Sequence, residues 1–215
     1  MPAIIRPMGN ITALFWDIGG VVLSNGWDES ARAEAARRFS LDPADFTQRH
    51  RAAEGEFEAG AITLETYLDR TVFFRERPFN RDQFKDFMFA QSQEYKETRV
   101  LLDELTATRR YFIAALNNES EELNVYRIHK FDLARNFAVF FSSCYLRMRK
   151  PDPHIYRSVL GITHRTPEEC IFIDDRLPNL EPARALGIGT IHFRSADELR
   201  ASLAESGVGP AFVGG

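Results

Sequence analysis

Five short apolar runs, rich in branched and aromatic residues, recur along the chain: ITALFW (11–16), YFIAAL (111–116), AVFF (138–141), CIFI (170–173) and TIHF (190–193). Runs of that length and composition predict strands buried in a parallel sheet. Helical patterns with start signals lie between the later runs. They begin near Glu119 after two asparagines, at Asp152 before Pro153, at Thr166 before Pro167, and at Ser195 with Glu198 placed for a capping box. Strands alternating with helices predict an α/β fold built on a Rossmann-like, doubly wound parallel sheet.

The spacing is uneven. About ninety residues separate the first two runs, far more than one crossover needs. That stretch reads as four helices with Asp28, Asp42, Thr63 and Asn80 as their N-caps. The expectation is a helical cap domain over residues 26–98, inserted into a core formed by 1–25 and 99–215. Phe73, Phe74, Phe84, Phe87 and Phe89 are expected to fill the cap's own core. His50, between Arg49 and Arg51, is expected on an exposed helix face. The ending GVGPAFVGG is glycine-rich, with Phe212 and Val213 able to dock.

Charge then narrows the chemistry. Lys and Arg number 27 against 31 Asp and Glu, a net charge of −4, which leaves no electrostatic footprint for nucleic acid or an anionic membrane. No run of about 18 apolar residues predicts a membrane span, and the opening MPAIIRPMGN lacks a signal-peptide core, so a cytoplasmic protein is expected. Cys144 and Cys170 sit in apolar segments without metal-type spacing and read as core thiols. A small-molecule substrate is the remaining default.

Parallel sheets bind ligands beyond the carboxyl ends of their strands. Asp17 follows the first run there, Asn117 and Asn118 the second, Lys150 the third, and Asp174 with Asp175 the fourth. Clustered carboxylates suit a hard cation such as Mg²⁺, a lysine supplies a point charge for phosphate, and asparagine amides donate hydrogen bonds. One carboxylate could serve as a nucleophile.

In that order, FWDIGGVVL, AALNNES, RMRKPDPHIY and CIFIDDRLPNLEPARALGI resemble the four motifs of the haloacid dehalogenase superfamily, and the inserted helices match the position of its cap. The resemblance implies that Asp17 is the nucleophile and that Lys150 holds it together with the transferring group. It implies that Asn117 and Asn118 contact phosphate. Asp17, Asp174, Asp175 and the carbonyl of Gly19 would bind Mg²⁺.

Most phosphatases of that superfamily carry a general acid two residues after the nucleophile, where this chain has Gly19. The α-D-glucose-1-phosphate phosphatase-like branch tolerates glycine there, since a glycosyl phosphate leaves as a weakly basic hemiacetal oxygen; WDIGGV and the segment FEAGAITLETYL resemble that branch. The resemblance thus implies a phosphatase of small phosphorylated metabolites such as sugar phosphates. Two alternatives stay open: a 2-haloacid dehalogenase, whose halide needs no general acid, and a catalytically silent domain binding a phospholigand or a protein.

Overall fold

A computed structural model describes residues 10–209; the expected docking of Phe212 and Val213 lies outside them. Five strands form one parallel sheet: β1 (Ala13–Trp16), β2 (Phe112–Asn117), β3 (Phe140–Ser142), β4 (Cys170–Asp174) and β5 (Gly189–His192). Their order is β3-β2-β1-β4-β5, so β1 is central, with Ala13 in register with Phe112 on one side and Cys170 on the other.

Each run of buried residues splits by parity between two cores. Leu14, Trp16, Ile113 and Ala115 pack with Leu101, Leu102 and Leu105 of α5 (Lys96–Ala107) and with Leu199 and Leu203 of α10 (Ala196–Glu205). Ala13, Phe15, Ala114 and Leu116 face Ile155, Tyr156 and Val159 of α8 (Pro153–Thr163) and Leu180 and Ala183 of α9 (Leu177–Ala185). Successive side chains of a strand point to opposite faces, so a sheet covered on both sides needs such runs.

Between β1 and β2 lie α1 (Glu29–Arg38), α2 (Pro43–Glu58), α3 (Leu64–Thr71) and α4 (Arg81–Ala90). All four start at the residues read as caps: Asp28, Asp42, Thr63 and Asn80 each accept a backbone N–H three residues on, and Asn80 with Gln83 closes a full capping box. These helices share an apolar cluster of their own, centred on Trp27, Phe46, Phe57, Tyr67, Phe84 and Met88. Phe84 and Phe87 are buried as expected, but Phe74 lies at the surface under the Arg49 guanidinium, 3.5 Å from its ring centroid.

Other expectations shift in detail. The Thr166–Pro167 start signal opens only a three-residue 3₁₀ turn, Pro167–Glu169, because β4 begins at the next residue. Helix α5 has no side-chain cap at Tyr95, so the chain carries no start signal there, and its first turn falls inside the range read as inserted. Both cysteines are free and buried. Among the described residues no helix is long and apolar enough to cross a membrane.

The outgoing and returning connections of the insert are stitched together. Ser24 N–H donates to the Gln93 carbonyl at 2.7 Å, the Gln93 N–H donates to Ser24 Oγ at 2.9 Å, and the Tyr95 N–H donates to the Val22 carbonyl at 3.0 Å. On the far side, beside the short helix α7 (Ser143–Leu146), Arg149 pairs with Glu58 at 2.6 Å and Arg147 donates to the Ala59 carbonyl at 3.2 Å. Both arginines of the RMRKP segment are thereby spent on holding the insert to the core.

Candidate active site

Asp17 leaves β1 buried, its Oδ1 accepting the Ile18 N–H at 2.8 Å and lying 3.0 Å from Lys150 Nζ. Lys150 arrives from the segment before α8, and its Nζ also donates to Asp174 Oδ2 at 2.7 Å. Asn118 fixes the lysine's backbone twice: its Nδ2 donates to the Lys150 carbonyl at 2.8 Å and its Oδ1 accepts the Lys150 N–H at 2.9 Å. The end of β2 thus positions the charge that sits at the end of β1.

Asp174 is fully buried and saturated. Besides Lys150 it accepts Asn179 Nδ2 at 3.0 Å on each oxygen and the Arg176 N–H at 2.8 Å. Asp175 is the opposite case, since its Oδ1 is buried with no partner. Oxygens of Asp17, Asp174 and Asp175 all come within 4.8 Å of one another. Three converging carboxylates with one orphaned oxygen are the donor set a hard divalent cation takes, and they fit Mg²⁺.

The loop after Asp17 is shaped for this. Gly20 has φ of +77°, and a Cβ there would fall 2.2 Å from Asp175 Oδ2. Only glycine combines that backbone with that approach.

Burial outweighs the lysine at Asp17: desolvation, with the neighbouring Asp174 and Asp175 charges, pushes its pKa up to about 8 against the lowering effect of Lys150. Burial pulls Lys150 down, but Asp17 and Asp174 more than offset it and hold the ammonium charged. Asp175 is raised by burial and then by Asp174.

A cavity of about 380 Å³ opens over Asp17, Gly19, Asn118 and Lys150 and is roofed by Trp27, Arg32, His50 and Glu54 of the insert. Asp175 lines the adjoining cavity with Gly20 instead. Asn117 is not brought to the cleft. Its Oδ1 accepts the Ser142 hydroxyl at 2.8 Å and its Nδ2 donates to Asn124 at 3.1 Å, so it ties β2, β3 and α6 (Glu121–Lys130) together below the site.

His50 also departs from expectation. It is 4% exposed, because its ring turns inward to Tyr67, whose hydroxyl lies 2.8 Å from Nδ1 and takes Trp27 Nε1–H at 2.9 Å. Its Nε2 reaches no hydrogen-bond partner; Glu54 Oε1 is 3.6 Å away. Flanking arginines hid this residue, although position 50 shares a helical face with Phe46, Ala53 and Phe57, the buried side of α2. Glu119, read only as the start of a helix, and Arg127 also line the cavity wall.

A doubly wound α/β sheet with a lysine–carboxylate cluster at its carboxyl edge and a helical insertion after the first strand defines the class. Residues 11–187 match the haloacid dehalogenase-like hydrolase family, and the chain belongs to it. It is 34% identical over 153 residues to flavin mononucleotide hydrolase 1 of Arabidopsis thaliana, covering 71% of this chain and 61% of that one. It is 41% identical over 70 residues to bifunctional epoxide hydrolase 2 of Rattus norvegicus, 32% of this chain and 13% of that one. The chain therefore spans less than two thirds of the length of these curated relatives. Among solved structures, a family enzyme of Bacteroides thetaiotaomicron in complex with magnesium and inorganic phosphate superposes with a TM-score of 0.72 at 22% identity, over 86% of this chain and 95% of that one. An L-2-haloacid dehalogenase superposes with a TM-score of 0.61 at 17% identity, over 84% and 83%. Both likenesses show the shared fold.

Proposed function

We propose that the chain is a Mg²⁺-dependent phosphatase of small phosphorylated metabolites, sugar phosphates among them, working through a phosphoryl group carried on Asp17. The observation that carries this reading is the junction of Asp17, Lys150 and the Asp174–Asp175 pair at one buried point. Asp17 Oδ1 is held by the Ile18 N–H and Lys150, which leaves its second oxygen to attack phosphorus. The bond to Asp17 forms as the ester P–O bond breaks, and water then attacks the same phosphorus and returns the carboxylate.

Lys150 neutralises one of the phosphoryl oxygens and keeps Asp17 oriented, while Asp174 and Asn118 hold Lys150 in place. Asp17, Asp175 and the Gly19 carbonyl would hold Mg²⁺, with Asp174 closing the acidic cluster; the cation, when bound, supplies positive charge that offsets the phosphoryl oxygens. Phosphoryl transfer needs little more than such alignment and neutralisation.

The helical insert serves in this reading as a cap. Its contribution to the cavity is polar: Arg32, His50 and Glu54 offer hydrogen bonds to a hydroxyl-bearing leaving group. That wall and the three-carboxylate cluster favour a phosphatase over a dehalogenase, which needs neither. Phosphate release from a sugar-phosphate panel with and without Mg²⁺, beside chloride release from 2-chloropropionate, with Asp17→Asn as control, tests the reading. Mg²⁺-dependent phosphate release lost in Asp17→Asn supports it. Chloride release alone supports the dehalogenase, and no turnover on either substrate supports a binding domain.

A further inference from the structure

Gly19 stands two residues after Asp17, and the direction its side chain would take is already filled. A Cβ at position 19 would lie 3.2 Å from Asn25 Oδ1 and 3.7 Å from Arg127 Nη1. Arg127 comes from α6 and is only 2% exposed, yet its guanidinium helps line the cavity over Asp17. Nε donates to Ser92 Oγ at 3.0 Å, Nη2 donates to the Ser24 carbonyl at 3.1 Å, and Nη1 lies 3.0 Å from Glu119 Oε2.

Ser24 and Ser92 belong to the two connections of the insert, so the guanidinium is fixed from both crossings. A second glycine admits it: a Cβ at Gly26 would fall 1.9 Å from Nη2. The missing side chain of Gly26 and three fixed contacts deliver one cation to within 3.7 Å of where a Cβ at position 19 would stand, with Asn25 Oδ1 nearer still. Burial, opposed by Arg127 and helped by Glu58, raises its carboxylate partner Glu119 to about 7.

We infer that Arg127 is the leaving-group residue of this site, donating a hydrogen bond from Nη1 to the bridging oxygen of a phosphate ester as its P–O bond breaks. The inference rests on Asp17 as the phosphoryl acceptor. In the step, an Asp17 oxygen bonds to phosphorus, the bridging P–O bond breaks, and its electron pair stays on the departing oxygen. A guanidinium stabilises that charge but has no proton to give in the working pH range. The departing oxygen takes its proton from water. The substrate class follows: esters whose leaving oxygen is weakly basic, such as glycosyl and aryl phosphates, in preference to simple alkyl phosphates.

The test measures kcat and KM for phosphate esters graded from aryl to alkyl leaving groups, in the wild type, Arg127→Met, Arg127→Lys, Gly19→Asp and the double variant Gly19→Asp with Arg127→Met. Removing a preorganised donor to a developing oxyanion typically costs about 10²–10³-fold in kcat. Arg127→Met is expected to lose that much on alkyl phosphates and less than about tenfold on p-nitrophenyl phosphate, with partial rescue in Arg127→Lys. Gly19→Asp alone is expected to leave alkyl esters slow, because the adjacent guanidinium keeps the new carboxyl ionised, whereas the double variant speeds them.

An equal loss on every ester in Arg127→Met would reduce Arg127 to a hinge contact and overturn the inference, as would acceleration of alkyl esters by Gly19→Asp alone. The Gly19→Asp arm does not depend on how well an Arg127 variant folds. If the wild type releases phosphate from no ester, the Asp17 reading itself falls, a result distinct from the other two.

Discussion

Asp17 Oδ1 and Lys150 Nζ lie 3.0 Å apart, both buried, and the lysine's second bond runs to a carboxylate with no exposure, Asp174. One cation is therefore shared by two buried acids, of which only Asp17 faces the cavity. Removing the lysine leaves the buried Asp174 carboxylate without its cation, a loss that typically costs about 3–5 kcal/mol. Lys150→Met is expected to lower unfolding free energy by about that amount at neutral pH and to abolish turnover. Urea unfolding monitored by circular dichroism checks the first part, and a loss under about 1 kcal/mol would contradict it.

Asp17 gives a pH-dependent signature of its own. Burial raises the Asp17 pKa to about 8 in the folded chain without divalent cation, whereas the unfolded chain releases the proton in the ordinary carboxylate range. Above the unfolded value the folded state thus carries a rising penalty, and stability falls as pH increases through that window. Asp17→Asn removes this titration. Without divalent cation the variant is expected to match the wild type near pH 4 and to become progressively more stable relative to it up to about pH 8. A stability difference flat across that range would refute the assignment.

Gly20 and Asp175 supply a test of the acidic cluster. Ala at position 20 forces the backbone out of φ +77° or the Asp175 carboxylate off its seat, since the two cannot share the space. Mg²⁺ that binds only the folded chain raises its melting temperature by mass action. The wild type is expected to melt higher as Mg²⁺ is titrated in, and Gly20→Ala to lose most of that gain. Equal gains in both would remove Asp175 from the metal site.

The two asparagines after β2 are expected to separate cleanly. Asn118→Ala breaks both bonds to the Lys150 backbone and is expected to lower kcat about 10–100-fold, because the lysine is no longer held against Asp17. Asn117→Ala takes one partner each from Ser142 and Asn124, which keep their mutual 3.2 Å bond, and is expected to cost about 0.5–1.5 kcal/mol of stability while KM for a phosphate ester stays near the wild-type value. Steady-state kinetics beside thermal melts distinguish the two.

These asparagines also mark how far the chain could be read. Element positions were legible because buried strands and capped helices leave local signals, and Asp28, Asp42, Thr63 and Asn80 all cap where they were expected to. The convergence of Asp17, Lys150, Asp174 and Asp175 was legible because parallel topology sends every strand end to one edge. Which of two adjacent asparagines faces the cleft depends on the pleat at the end of β2, which a turn beginning there obscures. His50 and Arg127 were hidden for another reason. Their roles arise from packing across the insert, where a histidine finds Tyr67 and an arginine finds the space left by Gly26, contacts between segments distant in the chain.

The central claim is that a phosphoryl group passes through Asp17. It is tested most directly by acid-quenching the enzyme during turnover of a phosphate ester with Mg²⁺ present and measuring the mass of the peptide that contains residue 17. A fraction of that peptide is expected to be heavier by one phosphoryl group, and none of it in Asp17→Asn. Turnover by the wild type with the phosphoryl group found on another residue would contradict it.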